Sequence, residues 1–184
     1  MIGHHDVEVV GHRGAAGDAP ENTLTSFAMA VEQGADAIEL DVHLSKDGRI
    51  VVCHDATVNR TTNGKGAIAD LTVDELKKFD AGFWAAKQFA GERLPLLEEV
   101  FDLVPAAVRI NIEIKSDSPA LRESLIDMLH RRGLLERVFV SSFNHECLIN
   151  LKKAEPNVRI GLLYDVEPLT PTQARDKYGV DIYS

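Results

Sequence analysis

The chain has 184 residues, 45% of them hydrophobic, which is enough to bury one substantial core and matches one soluble globular domain better than two. Its formal charge of -9 argues against nucleic acid or anionic membrane as the main partner, because affinity for a phosphate backbone comes largely from lysine and arginine. A small phosphate ester needs only a few local cations and stays compatible with that charge.

No apolar run approaches the ~18 residues of a membrane span, so no stable membrane insertion is expected. The start MIGHHDVEVV lacks the charged-then-apolar pattern of a signal peptide, and the expected location is the cytoplasm. Cys53 and Cys147 form neither a CxxC motif nor a disulfide framework and read as free thiols.

In chain order, the first strand is expected at Val7 to Gly11, followed by the glycine-rich loop GHRGAAGDAPENT. Leu24, Phe27, Ala28 and Val31 then repeat with helical spacing, with Asn22 or Thr23 as the cap and Gly34 at the end. A second strand runs from Ala37 to His43. Asp47-Gly48 before IVVCHD is a hairpin signal, and Thr72 with Glu75 forms a capping box with Leu71 and Leu76 as its staple. Residues 44–95 are too long for a simple crossover and read as an insertion beside the site.

Further strands follow at Val108 to Lys115, Val138 to Phe143, Val158 to Tyr164 and Val180 to Tyr183. Ser118-Pro119 opens a helix on Leu121, Leu125, Met128 and Leu129 that Gly133 stops. Strand, helix, strand repeated in this way implies parallel strands. In IELDVH, Glu39, Asp41 and His43 face one way; in RINIEIK, Asn111, Glu113 and Lys115 do the same. Strands in an open parallel sheet are normally apolar on both faces, whereas charged inward ends suit the mouth of a barrel. The expected fold class is therefore α/β, a TIM (β/α)8 barrel with a small inserted subdomain after the second strand. Six strands where a closed barrel needs eight imply that the sequence is part of a longer protein.

Glu39, Asp41 and Glu113 bring three carboxylates towards one point, a cluster that repels itself unless it shares protons or binds a cation. All-oxygen ligands suit a hard divalent metal ion, Ca²⁺ or Mg²⁺. His12 and His54 each end an apolar run and precede a turn, and two histidines across a scissile bond can act as acid and base. Arg13 and Lys115 offer cations for a phosphate, or neutralise Glu21, Glu39 or Glu113. Cys53 points to the opposite face from His54 and reads as core. His4 and His5 read as a mobile terminus, and His130 and His145 as helix-surface residues.

GHRG, PENT, ELDVHLSKDG, VVCHDATVNRTTNGKG, GERLPLLEEV and NIEIK occur in this order and spacing. Together they resemble the glycerophosphodiester phosphodiesterase family from about Val9 to Ser142, with weaker similarity to the end. The resemblance implies a TIM barrel with an inserted subdomain between its second and third strands. It also implies hydrolysis of a small-molecule glycerophosphodiester to sn-glycerol 3-phosphate and an alcohol with a divalent cation. On the matching residues it makes His12 and His54 the acid/base pair and Glu39, Asp41 and Glu113 the metal ligands. Arg13 and Lys115 then contact the phosphate or glycerol end. Glu21, Asn22 and Phe143 are second-tier candidates, the first two bracing the loop and Phe143 lining the pocket. The rival readings are a phospholipase D-type activity on lysophospholipids or sphingomyelin, and a non-catalytic or inactive fragment.

Overall fold

The computed structural model describes residues 7–116, 118–165 and 170–178. The apolar runs form strands β1 (Val10–His12), β2 (Ala37–Leu44), β3 (Ile50–Val52), β4 (Arg109–Ile114), β5 (Val138–Ser142) and β6 (Arg159–Leu162). The helices are α1 (Leu24–Glu32), α2 (Val73–Leu76), α3 (Leu97–Leu103), α4 (Pro119–Arg132), α5 (His145–Ala154) and α6 (Pro171–Tyr178).

Five strands are parallel in the spatial order β1-β2-β4-β5-β6, and β3 adds antiparallel to the end of β2. Each parallel strand lies beside its predecessor without a reversal of direction around the sheet. A doubly wound sheet reverses at a switch point; an unreversed progression is the order of a TIM barrel. The expected final strand at Val180 to Tyr183 lies outside the described residues.

One stripe of each long helix covers the sheet. Ile38, Leu40 and Val42 on β2 and Ile110, Ile112 and Ile114 on β4 are buried against Phe27, Leu97, Leu121, Leu125 and Leu129. Each such side chain contributes about 1.5–3 kcal/mol by leaving water. Ser118 caps α4 by accepting from Leu121 N–H at 3.3 Å, and Gly133 ends it with a left-handed φ of 65°. A second, smaller core of Val51, Cys53, Val58, Ile68, Leu76 and Leu94 sits within the segment between β2 and α3. Burial pushes the Cys53 thiol up to about 11, which keeps it protonated and inert. The Thr72–Glu75 capping box is formed at the start of α2. Among the described residues, no helix is long and apolar enough to cross a membrane.

Two local expectations change, for the first strand and for His145, and the choice between Asn22 and Thr23 as cap is resolved. The first strand is shorter and later than Val7 to Gly11, because the Asp36 carboxylate takes the Val9 N–H at 2.8 Å and Val9, still 58% exposed, has no apolar layer over it. Thr23, not Asn22, caps α1, accepting from Ser26 N–H at 3.2 Å. His145 is half-buried rather than a free surface residue: Nε2 donates to Leu163 O at 2.8 Å and the ring stacks edge-on against Tyr164.

The loop after β1 rests directly on α1. Ser26 Oγ donates to Arg13 O and Ala15 N–H donates to Ser26 O, each at 3.0 Å. Gly14 has φ +83°, and a Cβ there would stand 2.4 Å from Ser26 Oγ and 2.6 Å from the Ser26 carbonyl carbon. Gly14→Ala combines left-handed strain with a backbone clash and is expected to lower stability by about 2 kcal/mol or more in urea unfolding. A loss under about 0.5 kcal/mol would show that the loop has room to move away.

Candidate active site

Parallel register places Asp41 opposite Glu113 and Glu39 opposite Asn111 across β2 and β4. With a side-chain period of two, Glu39 and Asp41 share one face, and Glu113 meets them there. One oxygen from each of the three carboxylates lies within 4.8 Å of the others, and the residues are only 7%, 0% and 7% exposed.

Buried like charges at that spacing need compensation. Lys115 Nζ donates to Glu113 Oε1 at 2.7 Å and forms an ion pair with Asp41 Oδ1 at 3.0 Å. Burial acts to lower the Lys115 pKa, but Glu113 and Asp41 outweigh it and hold the ammonium charged. Arg13 donates its backbone N–H to Glu39 Oε2 at 3.0 Å and places Nε 3.5 Å from Asp41 Oδ2. The Asn22 amide donates to Asp41 Oδ2 at 2.8 Å.

These contacts leave the cluster under-compensated. Glu39 Oε1 is buried without a hydrogen-bond partner, and Asp41 Oδ1 is buried beside Lys115. Burial, reinforced by Asp41 and Glu113 against the Arg13 N–H, raises the Glu39 carboxyl from 4.5 to about 8. A buried oxygen without a partner and an all-carboxylate donor set fit a hard divalent cation, so this group can hold a metal ion.

The backbone of the first loop is bent to make this possible. Arg13 and Asn22 both adopt left-handed φ values, 54° and 57°, uncommon for residues with a Cβ. Asn22 N–H donates to Arg13 O at 3.0 Å, so the two strained residues hold each other while both side chains turn towards Asp41. In PENT, Glu21 binds Arg13, Asn22 binds Asp41, and Thr23 caps the helix.

His12 ends β1 with its side chain 70% exposed and Nε2 3.8 Å from Glu39 Oε2. His54 follows β3, its Nδ1 2.7 Å from Asp55 Oδ1. The Asp55 carboxyl is held well below the usual range, first by hydrogen bonds from Arg60, which outweigh the opposing effect of burial, and further by His54. An ionised Asp55 accepts from Nδ1–H and leaves Nε2 as the second ring nitrogen. The His54 carbonyl is held too: His43 Nε2–H donates to it at 3.1 Å, and burial keeps the His43 pKa low.

His12, His54, Arg13, Lys115, Glu39, Glu113 and Phe143 line one cavity of about 420 Å³. Asp41 sits beneath it, and Glu21 stands behind it between Arg13 and Arg60. Phe143 is 47% exposed and forms an apolar side of the cavity with Leu163. Sequence reading missed Asp55, Arg60 and His43 as supports of His54, and Ser141, whose hydroxyl bonds Asn111 Oδ1 at 2.8 Å in the cavity wall. The Asp beside His54 was the readable signal for the first of these. An array of a metal-competent carboxylate group, two histidines and two cations on one cavity can polarise an anionic ester and move protons at both sides of a bond.

Known proteins resemble the chain in both sequence and fold. The sequence profile of the glycerophosphoryl diester phosphodiesterase family matches residues 12–181. A glycerophosphodiester phosphodiesterase of Caldanaerobacter subterraneus is 50% identical over 167 residues, 87% of this chain and 69% of its own. The crystal structure of a glycerophosphodiester phosphodiesterase from Agrobacterium tumefaciens superposes with a TM-score of 0.85 at 32% identity, over 94% of this chain and 73% of that one. An Oleispira antarctica phosphodiesterase, solved in complex with the product sn-glycerol-3-phosphate, superposes with a TM-score of 0.81 at 32% identity, covering 94% and 72%. The chain spans about two thirds of the length of the curated relatives it matches. With the profile covering nearly the whole chain and the barrel order shared with solved relatives, this chain belongs to the glycerophosphoryl diester phosphodiesterase family.

Proposed function

We propose that this chain carries the catalytic site of a metal-dependent glycerophosphodiester phosphodiesterase, which releases sn-glycerol 3-phosphate and an alcohol. The observation that carries the reading is the single cavity on which His12, His54 and the carboxylate group converge. The product bound to the Oleispira antarctica relative supports the substrate class. Residues 44–95 act as an insertion in one barrel domain and deliver His54 to the cavity.

Glu39, Asp41 and Glu113 would hold the cation, and Ca²⁺ and Mg²⁺ both suit their oxygens. When bound, the cation supplies Lewis-acid polarisation of the phosphodiester. Arg13 and Lys115 present positive charge to the phosphate or glycerol end from the cavity wall, and Phe143 gives the substrate an apolar contact. One histidine removes the proton from the attacking hydroxyl, either the neighbouring glycerol hydroxyl, giving a cyclic phosphate that water opens, or a water molecule. The other gives a proton to the departing alcohol oxygen. Glu21 and Asn22 keep Arg13 and Asp41 in place.

His12→Ala and His54→Ala are each expected to lower release of sn-glycerol 3-phosphate from glycerophosphocholine by about 100-fold or more with metal present. Activity near wild type in either variant would remove that histidine from the mechanism.

The Glu39 shift sets a pH dependence in the metal-free protein. Below about pH 4.5 the carboxyl is protonated in both folded and unfolded chains; between about 4.5 and 8 the folded chain keeps a proton the unfolded one has released. Stability therefore falls as pH rises through that window and levels off above it. In chelator, Glu39→Gln should gain on wild type by about 1–3 kcal/mol between pH 5 and pH 8 in urea melts. Added Ca²⁺ or Mg²⁺ should raise the melting temperature of wild type far more than that of the variant. Identical pH and cation responses in the two proteins would contradict the assignment of Glu39.

A further inference from the structure

Arg60 lies on the insertion between β3 and the turn at Ile68–Asp70. Its guanidinium forms two forks. Nε and Nη2 donate to Asp55 Oδ2 and Oδ1 at 2.8 and 3.0 Å, while Nη1 and Nη2 donate to Glu21 Oε2 and Oε1, each at 2.8 Å. Glu21 belongs to the loop after β1 and also takes Arg13 Nη1 at 3.0 Å. Asp55 Oδ1 is the atom 2.7 Å from His54 Nδ1. One planar group thus ties the loop carrying Arg13 to the loop carrying His54.

A single exposed ion pair between mobile side chains contributes little and fixes no geometry. Two bidentate forks on one rigid guanidinium are different, because the plane and spacing of its N–H groups set the orientation of both carboxylates at once. Asp55 cannot turn away from His54 without breaking a fork. The carboxylate that orients a histidine in turn chooses which ring nitrogen carries the proton.

We infer that Arg60 is a positioning residue that clamps Asp55 against Glu21 and so holds His54 in the Nδ1–H tautomer, with Nε2 free for proton transfer. The insertion is then part of the catalytic assembly in two ways, supplying both His54 and the group that aims it. Arg60 itself does not line the cavity and acts only through Asp55. Its effect on rate rests on the role of His54 proposed above, whereas its effect on the tautomer does not.

Long-range ¹H–¹⁵N correlation spectra of the ¹⁵N-labelled protein read the two ring nitrogens of His54 directly, with His54→Gln assigning the signals. At a pH where the ring is neutral, the wild-type protein should show a protonated Nδ1 and an unprotonated Nε2; the opposite tautomer would overturn the inference without need of any variant. Arg60→Gln removes both forks, and Arg60→Lys, which keeps the charge and cannot form two forks, covers the case in which the first variant does not fold. Both should shift His54 towards a tautomer mixture and lower kcat about tenfold or more, with KM changing less than about threefold. A Nδ1–H tautomer that persists in both variants with kcat within about twofold of wild type would overturn the clamp. A tautomer that shifts while kcat does not would overturn the use of His54 in proton transfer, and with it the positioning role, while leaving the carboxylate site untouched.

Discussion

Three carboxylates buried within 4.8 Å of one another repel strongly, and the surrounding structure is arranged to offset that repulsion. Lys115 approaches from the end of β4, the Arg13 backbone and guanidinium from the loop after β1, and the Asn22 amide from the start of α1. Two residues take left-handed backbone conformations to make those approaches, and Gly14 is packed against Ser26 with no space for a side chain. Such strain is stored where the surroundings over-determine it, and here the surroundings are a parallel sheet buried on its helical side by isoleucines and leucines. The core fixes the strands, the strands fix the carboxylates, and the carboxylates dictate what the first loop must supply.

Compensation stops short of completion. Glu39 Oε1 keeps no partner, and the Glu39 carboxyl is pushed up to about 8 by burial and by its neighbours. An apolar or amide side chain at that position would relieve the protein of this cost. A group that destabilises the metal-free fold is compatible with a cation site, since an unsatisfied oxygen can serve as a ligand. A second layer then handles the histidines. His54 is held at its ring by Asp55 and at its carbonyl by His43, while His12 projects openly at the end of β1. The two proton-transfer candidates therefore differ in freedom, one fixed by the insertion and one left exposed.

Much of this arrangement was legible in the sequence because it depends on short periods. The alternation in IELDVH and RINIEIK assigns Glu39, Asp41 and Glu113 to one face, and the barrel order follows from strands alternating with helices. Helix ends were readable at Ser118 and Gly133, where capping chemistry is local. Competition between tertiary and local roles was not readable. Asn22 is as good a cap as Thr23 by residue type, but its amide is drawn to Asp41, 19 positions away. The Arg60 forks span 39 positions to Glu21, and no periodicity signals a contact that only the folded insertion creates. The start of β1 was misplaced for a similar reason, since the Asp36 side chain, not a strand partner, takes the Val9 N–H.

The central claim is that Glu39, Asp41 and Glu113 form a metal centre. Isothermal titration calorimetry of the chelator-treated protein with Ca²⁺ and with Mg²⁺ addresses it most directly, alongside Asp41→Asn, which keeps the size of the buried side chain and removes its charge. The account predicts saturable binding of one cation per chain that is lost or greatly weakened in the variant. No saturable binding of either ion, or equal binding in the variant, would contradict it.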